Sequence, residues 1–194
     1  MSVQSNPSFV MYVGPMFGSK TSKLLMELER YKYQQRHYMT FKPTLDDRYA
    51  DLDIVTHGGW KHTAVAVKDG ADVLKYVVDA EVDLKVIAVD EAFMIPGIAE
   101  ALIFLYKSGF NVVVSSLDIA FNGKPFPEVA KMLPWATKIE KCSAVCTVCG
   151  RDAHFTHKKV SHGDELSVQI GGSELYEPRC AAHYPEVFDL LKVK

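Results

Sequence analysis

A chain of 194 residues, 48% hydrophobic and 24% charged, has the make-up of one folded domain with room for a small appended lobe, far from the range of disordered sequences. A net charge of −2 and a pI of about 6.4 exclude a general basic field that would draw the chain to nucleic acid or anionic lipid. The segment "MSVQSNPSF" lacks a basic n-region followed by an apolar h-region, and no apolar run of about 18 residues occurs, so a cytoplasmic protein with neither membrane nor nucleic acid as partner is expected.

The first predicted element, "FVMYV", is a short apolar run of β-forming residues that stops at Gly14, which suits a buried strand feeding a loop. From Thr21 onward Leu24, Leu25, Leu28 and Tyr31 recur at helical spacing, with Glu27, Glu29, Arg30 and Lys32 on the outer face. "MTFKP" reads as a second strand stopped by proline, and the polar, aperiodic "TLDDRYADLDIVTHGGW" as a loop near a site. Next come a helix in "ADVLKYVVD", a buried strand in "KVIAVDEAFMIP" that ends in two carboxylates, a helix in "IAEALIFLYKSG" closed by Gly109, and a buried strand in "NVVVSSLD".

This alternation predicts an α/β domain with a parallel sheet flanked by helices and with ligands at the carboxyl ends of the strands, where Gly14, Asp90 and Asp118 fall. From Lys138 the pattern changes to "KIEKCSAVCTVCGRDAHFTHKKV", "ELSVQIGG" and "YEPRCAAHY", which reads as short β-hairpins around a metal. The expected division is a nucleotide-binding domain over residues 1–141 and a metal-binding lobe over residues 142–194.

Between the first strand and helix, Gly14, Lys20 and Thr21 fit the phosphate-loop pattern G-x-x-x-x-G-K-[ST], while Ser19 stands where the second glycine belongs and Gly18 comes one place early. In such a loop backbone N–H groups surround the phosphates, the lysine reaches the β and γ oxygens, and the hydroxyl residue ligates Mg²⁺. If φ > 0 is still needed at Ser19, the exchange strains the loop by about 1–3 kcal/mol, which Gly18 would relieve. Asp90 and Glu91 end an apolar strand, where one carboxylate can hold Mg²⁺ and its neighbour take a proton from an attacking hydroxyl. The plain alternatives are a ligand-free turn and an acidic pair that starts a helix.

All four cysteines, Cys142, Cys146, Cys149 and Cys180, lie in the last third, which argues for metal rather than disulfides. Cys146-x-x-Cys149 and Cys180-x-x-His183 are two ligand pairs with the spacing of a tetrahedral Cys₃His zinc site. Four protein ligands leave no open position, so the zinc would be structural. Cys142 is left as a buried apolar cysteine, and His154, His157 and His162 as members of a solvated hairpin.

The blocks "GPMF", "DDRY", "VIAVDEAF", "SLDIAFNGKPF", "AVCTVCG" and "VQIGGSELYEPRC", with the closing C-x-x-H, occur in one order over roughly residues 9–188. In that order the chain resembles the type II thymidine kinases of cells, bacteria and phages. The resemblance implies a RecA-like P-loop domain with a zinc-bearing lasso domain, and transfer of a phosphoryl group from ATP to the thymidine 5′-hydroxyl to give dTMP. It further implies a homotetramer with dTTP as feedback inhibitor.

By position, the resemblance places Gly14, Pro15, Met16, Phe17, Gly18, Ser19, Lys20 and Thr21 around ATP, with Asp46 and Asp90 on the nucleotide and metal side. Arg48 would steady phosphate, Lys20 would hold the transferred group, and Glu91 would act as general base. Met16, Phe93, Phe121, Phe126, Gln169, Ile170, Gly171 and Tyr176 would surround the nucleoside. Three departures stand out: the order Gly18-Ser19 where the family reads S-G, Phe93 and Met94 where it has glutamine and an aromatic, and Asn122 where a longer Arg or Gln is common. Alternatives are a kinase for another deoxynucleoside, a nucleotide-binding pseudokinase of the same fold, and a zinc-ribbon nucleic-acid binder, which the mild acidity of the chain disfavours.

Overall fold

The computed structural model describes residues 6–44, 53–55, 61–159 and 172–184. The chain runs through β1 (Phe9–Val13), α1 (Lys20–Tyr33), β2 (His37–Pro43), β3 (Asp53–Val55), β4 (Lys61–Thr63), β5 (Val65–Val67), α2 (Gly70–Val78), β6 (Leu84–Val89), α3 (Ile98–Lys107), β7 (Asn111–Ser116), α4 (Pro127–Met132) and β8 (Lys138–Lys141). Four short strands follow: β9 (Ala144–Val145), β10 (Asp152–Ala153), β11 (Phe155–Lys158) and β12 (Tyr176–Arg179).

Six strands form one sheet in the order β5-β2-β6-β7-β1-β8, and every pairing in it is parallel. Parallel strands need crossover connections and both faces covered, and the side-chain alternation of β1 shows how that is met. Phe9, Met11 and Val13 join the core beneath α2, α3 and α4, with Ile87, Val112, Ile98, Leu102 and Val129. Val10 and Tyr12 point the other way, onto Leu24, Leu25, Leu28 and Tyr31 of α1. The apolar spacing of α1 therefore serves a single face of the sheet. The predicted α/β architecture is the one observed.

Two readings of the sequence are corrected. The segment after Pro43 is not loop throughout: β3 pairs antiparallel with β4, Asp53 opposite Thr63. Lys138–Lys141, assigned by pattern to the hairpins around the metal, instead extends the main sheet as β8, with Val10 opposite Lys138 and Val13 opposite Lys141. Exposed Lys138 and Lys141 mask an edge strand, which is half solvated by nature. The hairpin pairs β9·β10 and β11·β12 begin only after Cys142.

Candidate active site and metal centre

All the parallel strands point one way, so the residues that follow β1, β6 and β7 gather at one edge of the sheet. After β1 the chain leaves at Gly14, whose φ is +146° and where a Cβ would run into the carbonyl of Cys142. The loop ends at Ser19, the N-cap of α1, with φ 57° and ψ 24° and no hydrogen bond from its hydroxyl to the helix. Phe17 also has positive φ, at 65°.

Gly18 does not take the left-handed conformation; the strain stays on Ser19, contrary to the expected relief. A Cβ at Gly18 would lie 3.1 Å from the Pro15 carbonyl oxygen. Glycine spares a tight approach there rather than supplying a positive φ.

Lys20 is 7% exposed, and its Nζ donates to the Pro15 carbonyl at 2.6 Å. Burial lowers its pKa, opposed by the negative charges of Glu91 and Asp90. Thr21 Oγ1 donates to Asp90 at 3.1 and 3.2 Å from its two oxygens, and the Ser115 hydroxyl donates to the same carboxylate. Burial raises the Asp90 pKa, while Ser115, Thr21 and Lys20 pull it back. Glu91, half-buried at the next position, has φ 52°. This left-handed turn separates the two carboxylates, and a non-glycine residue held there is the kind of backbone strain that clusters at reactive sites. Beyond β7, Asp118 pairs with Lys141.

The aromatic candidates form two pairs. Phe93 lies 4.5 Å from Phe126, which is buried in the core, and the Phe93 N–H donates to the Ser116 hydroxyl at 3.0 Å. Phe121 faces Tyr176 at 6.4 Å, with Lys158 above the Phe121 ring. Asp46, Arg48, Gln169, Ile170 and Gly171 lie outside the described residues.

Cys146, Cys149, Cys180 and His183 bring their ligand atoms within 4.8 Å of one another. A tetrahedron with metal–ligand bonds of about 2.0–2.3 Å has edges of about 3.3–3.8 Å. The measured edges are 3.7 Å for Cys149–Cys180, 3.8 Å for Cys146–His183 and 3.2 Å for Cys180–His183, both histidine distances being taken to Nδ1. Burial opposes ionisation of Cys146, but backbone N–H groups of Cys180, Val148 and Cys149 outweigh it and bring the thiol below its ordinary range, towards the thiolate a metal requires. The cluster could hold zinc. Cys142 is free and buried, as expected. His154 and His157 lie outside the cluster, beside and within β11, as expected, though His154 is half-buried and its Nδ1 has no hydrogen-bond partner; His162 lies outside the described residues.

Ser115, Ser116, Thr156 and Lys141 escaped the sequence reading. Two serines at the end of an apolar strand, "VVVSS", are the one signal that would have marked the first pair.

A family model described as thymidine kinase matches residues 8–184. The chain belongs to the thymidine kinase family. Membership supports a thymidine kinase-like function, of the kinase class of transferases. Among solved structures, the chain is similar to the genome packaging NTPase B204 from Sulfolobus turreted icosahedral virus 2 in complex with sulfate, at 19% identity, over 74% of this chain and 76% of that one, with a TM-score of 0.43. In this member of the thymidine kinase family no helix among the described residues is long and apolar enough to cross a membrane.

Proposed function

We propose that the protein transfers the γ-phosphoryl group of ATP to the 5′-hydroxyl of thymidine. The observation that carries this reading is the convergence of Lys20, Thr21, Asp90 and Glu91 at one edge of the sheet, within a thymidine kinase family chain. Residues 14–21 would surround the phosphates with backbone N–H groups and the N-terminus of α1. The Thr21 hydroxyl and the Asp90 carboxylate stand side by side as hard oxygen donors, a set that suits Mg²⁺. When bound, Mg²⁺ neutralises charge on the β and γ phosphates.

Glu91 takes the 5′-hydroxyl proton as the oxygen bonds to the γ-phosphorus and the bond to the β–γ bridging oxygen breaks, leaving ADP and a protonated Glu91. Lys20 would exchange its bond to the Pro15 carbonyl for the charge that develops on the transferred group. Arg48 and the residues 169–171 join this reading through the resemblance alone, as do the homotetramer, dTTP inhibition and the division at residue 141. A structural zinc on Cys146, Cys149, Cys180 and His183 completes it.

The left-handed Ser19 favours a second reading, a nucleotide-binding protein without turnover. A panel of thymidine, deoxyuridine, deoxycytidine and uridine, each offered with MgATP, tests the proposal. Phosphorylation led by thymidine supports it, phosphorylation led by another nucleoside moves the specificity, and none at all favours the second reading.

A further inference from the structure

The phosphate loop does not stand on the sheet alone; it is fastened to the Cys/His lobe at three points. The Met16 N–H donates to the Thr156 hydroxyl at 3.0 Å, and Thr156 is 4% exposed in β11. Phe17 packs against the small core of that lobe, formed by Ala144, Cys146, Ala153 and Cys180, with Cys149 beside it. Gly14 and Gly18 both lie against Cys142, where the lobe leaves the sheet. Three of the four candidate metal ligands thus share a core with a loop residue.

We infer that Phe17 and Thr156 are positioning residues that couple metal occupancy of the Cys₃His cluster to polyphosphate binding. This inference rests on the reading of residues 14–21 as a polyphosphate loop. Phe17 is held with positive φ, a conformation a free loop would leave readily. Its ring has a place to pack only while the ligand residues stay together, and a bound metal keeps them together. Thr156 adds a path through the pairing of β11 with β12: Thr156 lies opposite Pro178, two residues before Cys180. Linkage then requires the effect to run both ways: metal sharpens the loop for phosphate, and phosphate bound in the loop retains the metal.

The test follows the rate at which zinc-loaded protein releases its metal to a chromogenic chelator, in excess magnesium, with and without saturating MgATP. Calorimetry reports MgATP binding to the same proteins. MgATP is expected to slow release by about 3- to 10-fold in wild type and in Thr156→Ser, which keeps the hydroxyl. The slowing should shrink below about 2-fold in Thr156→Val and in Phe17→Leu, each still loading one zinc per chain, with MgATP affinity weakened by about 2- to 10-fold. Lys20→Ala, which removes the phosphate contact, controls for chelation of zinc by the nucleotide and should show no slowing. Wild type that binds MgATP without any slowing, or Thr156→Val and Phe17→Leu that slow as wild type does, would overturn the coupling alone. Wild type that binds no MgATP would overturn the kinase reading and the coupling together.

Discussion

The Thr21 hydroxyl sits 3.1 Å and 3.2 Å from the two carboxylate oxygens of Asp90, a residue 69 positions further along the chain. The first turn of α1 and the end of β6 are thereby tied at the point where the proposed function puts the nucleotide's metal. Ser115, from β7, adds a third tether to the same carboxylate.

That buried carboxylate gives a pH dependence with a definite sign. Burial raises the Asp90 pKa above 3.8, so from that value up to the folded pKa the native chain holds a proton that the unfolded chain has released. Stability therefore falls as pH rises through this window. Urea midpoints measured from about pH 4 to about pH 7 should fall less in Asp90→Asn than in wild type, while phosphoryl transfer is lost. Parallel curves would show that the Asp90 charge costs the fold nothing.

Ser19 carries left-handed strain that a glycine would not. Ser19→Gly is expected to raise stability by about 0.5–1 kcal/mol and to lower the Michaelis constant for ATP by about 2- to 5-fold, with that for thymidine nearly unchanged. Gly18→Ser should do the reverse, since its Cβ would press on the Pro15 carbonyl. Thermal melting and steady-state kinetics of the two single variants decide. Were Gly18→Ser neutral, the Pro15 carbonyl would have the slack to yield to a Cβ at 3.1 Å.

Much of this was legible beforehand. The α/β order could be read because β1 and the centres of β6 (Val86–Val89) and β7 (Val112–Val114) are unbroken apolar runs and α1 keeps its apolar residues on one face. The two C-x-x-C/H pairs announced the Cys/His cluster because short hairpin spacing fixes ligand geometry locally. What stayed hidden depends on tertiary contact: the backbone angle of Ser19, the serines that reach Asp90 and Phe93, and the Thr156–Met16 bond across 140 positions. Lys138–Lys141 misled because three charges in four residues fit a solvated hairpin as well as a sheet edge.

Zinc should be found at one ion per chain. Cys149→Ser should lose it and expose the backbone of residues 144–158 to faster amide exchange, because a lobe with so small a core depends on its metal. Cys142→Ala should keep the metal, since Cys142 lies outside the cluster. Elemental analysis with hydrogen exchange is the check; full zinc in Cys149→Ser would remove that residue from the ligand set.

The most direct measurement follows γ-labelled ATP and thymidine into products for wild type and Glu91→Gln, with thymidine binding measured on both. The predicted result is label on the 5′-oxygen of dTMP in wild type. In Glu91→Gln transfer should fall by about 10²- to 10⁴-fold while thymidine still binds. Wild-type protein that binds both substrates and transfers no label, or Glu91→Gln that turns over as fast as wild type, would contradict it.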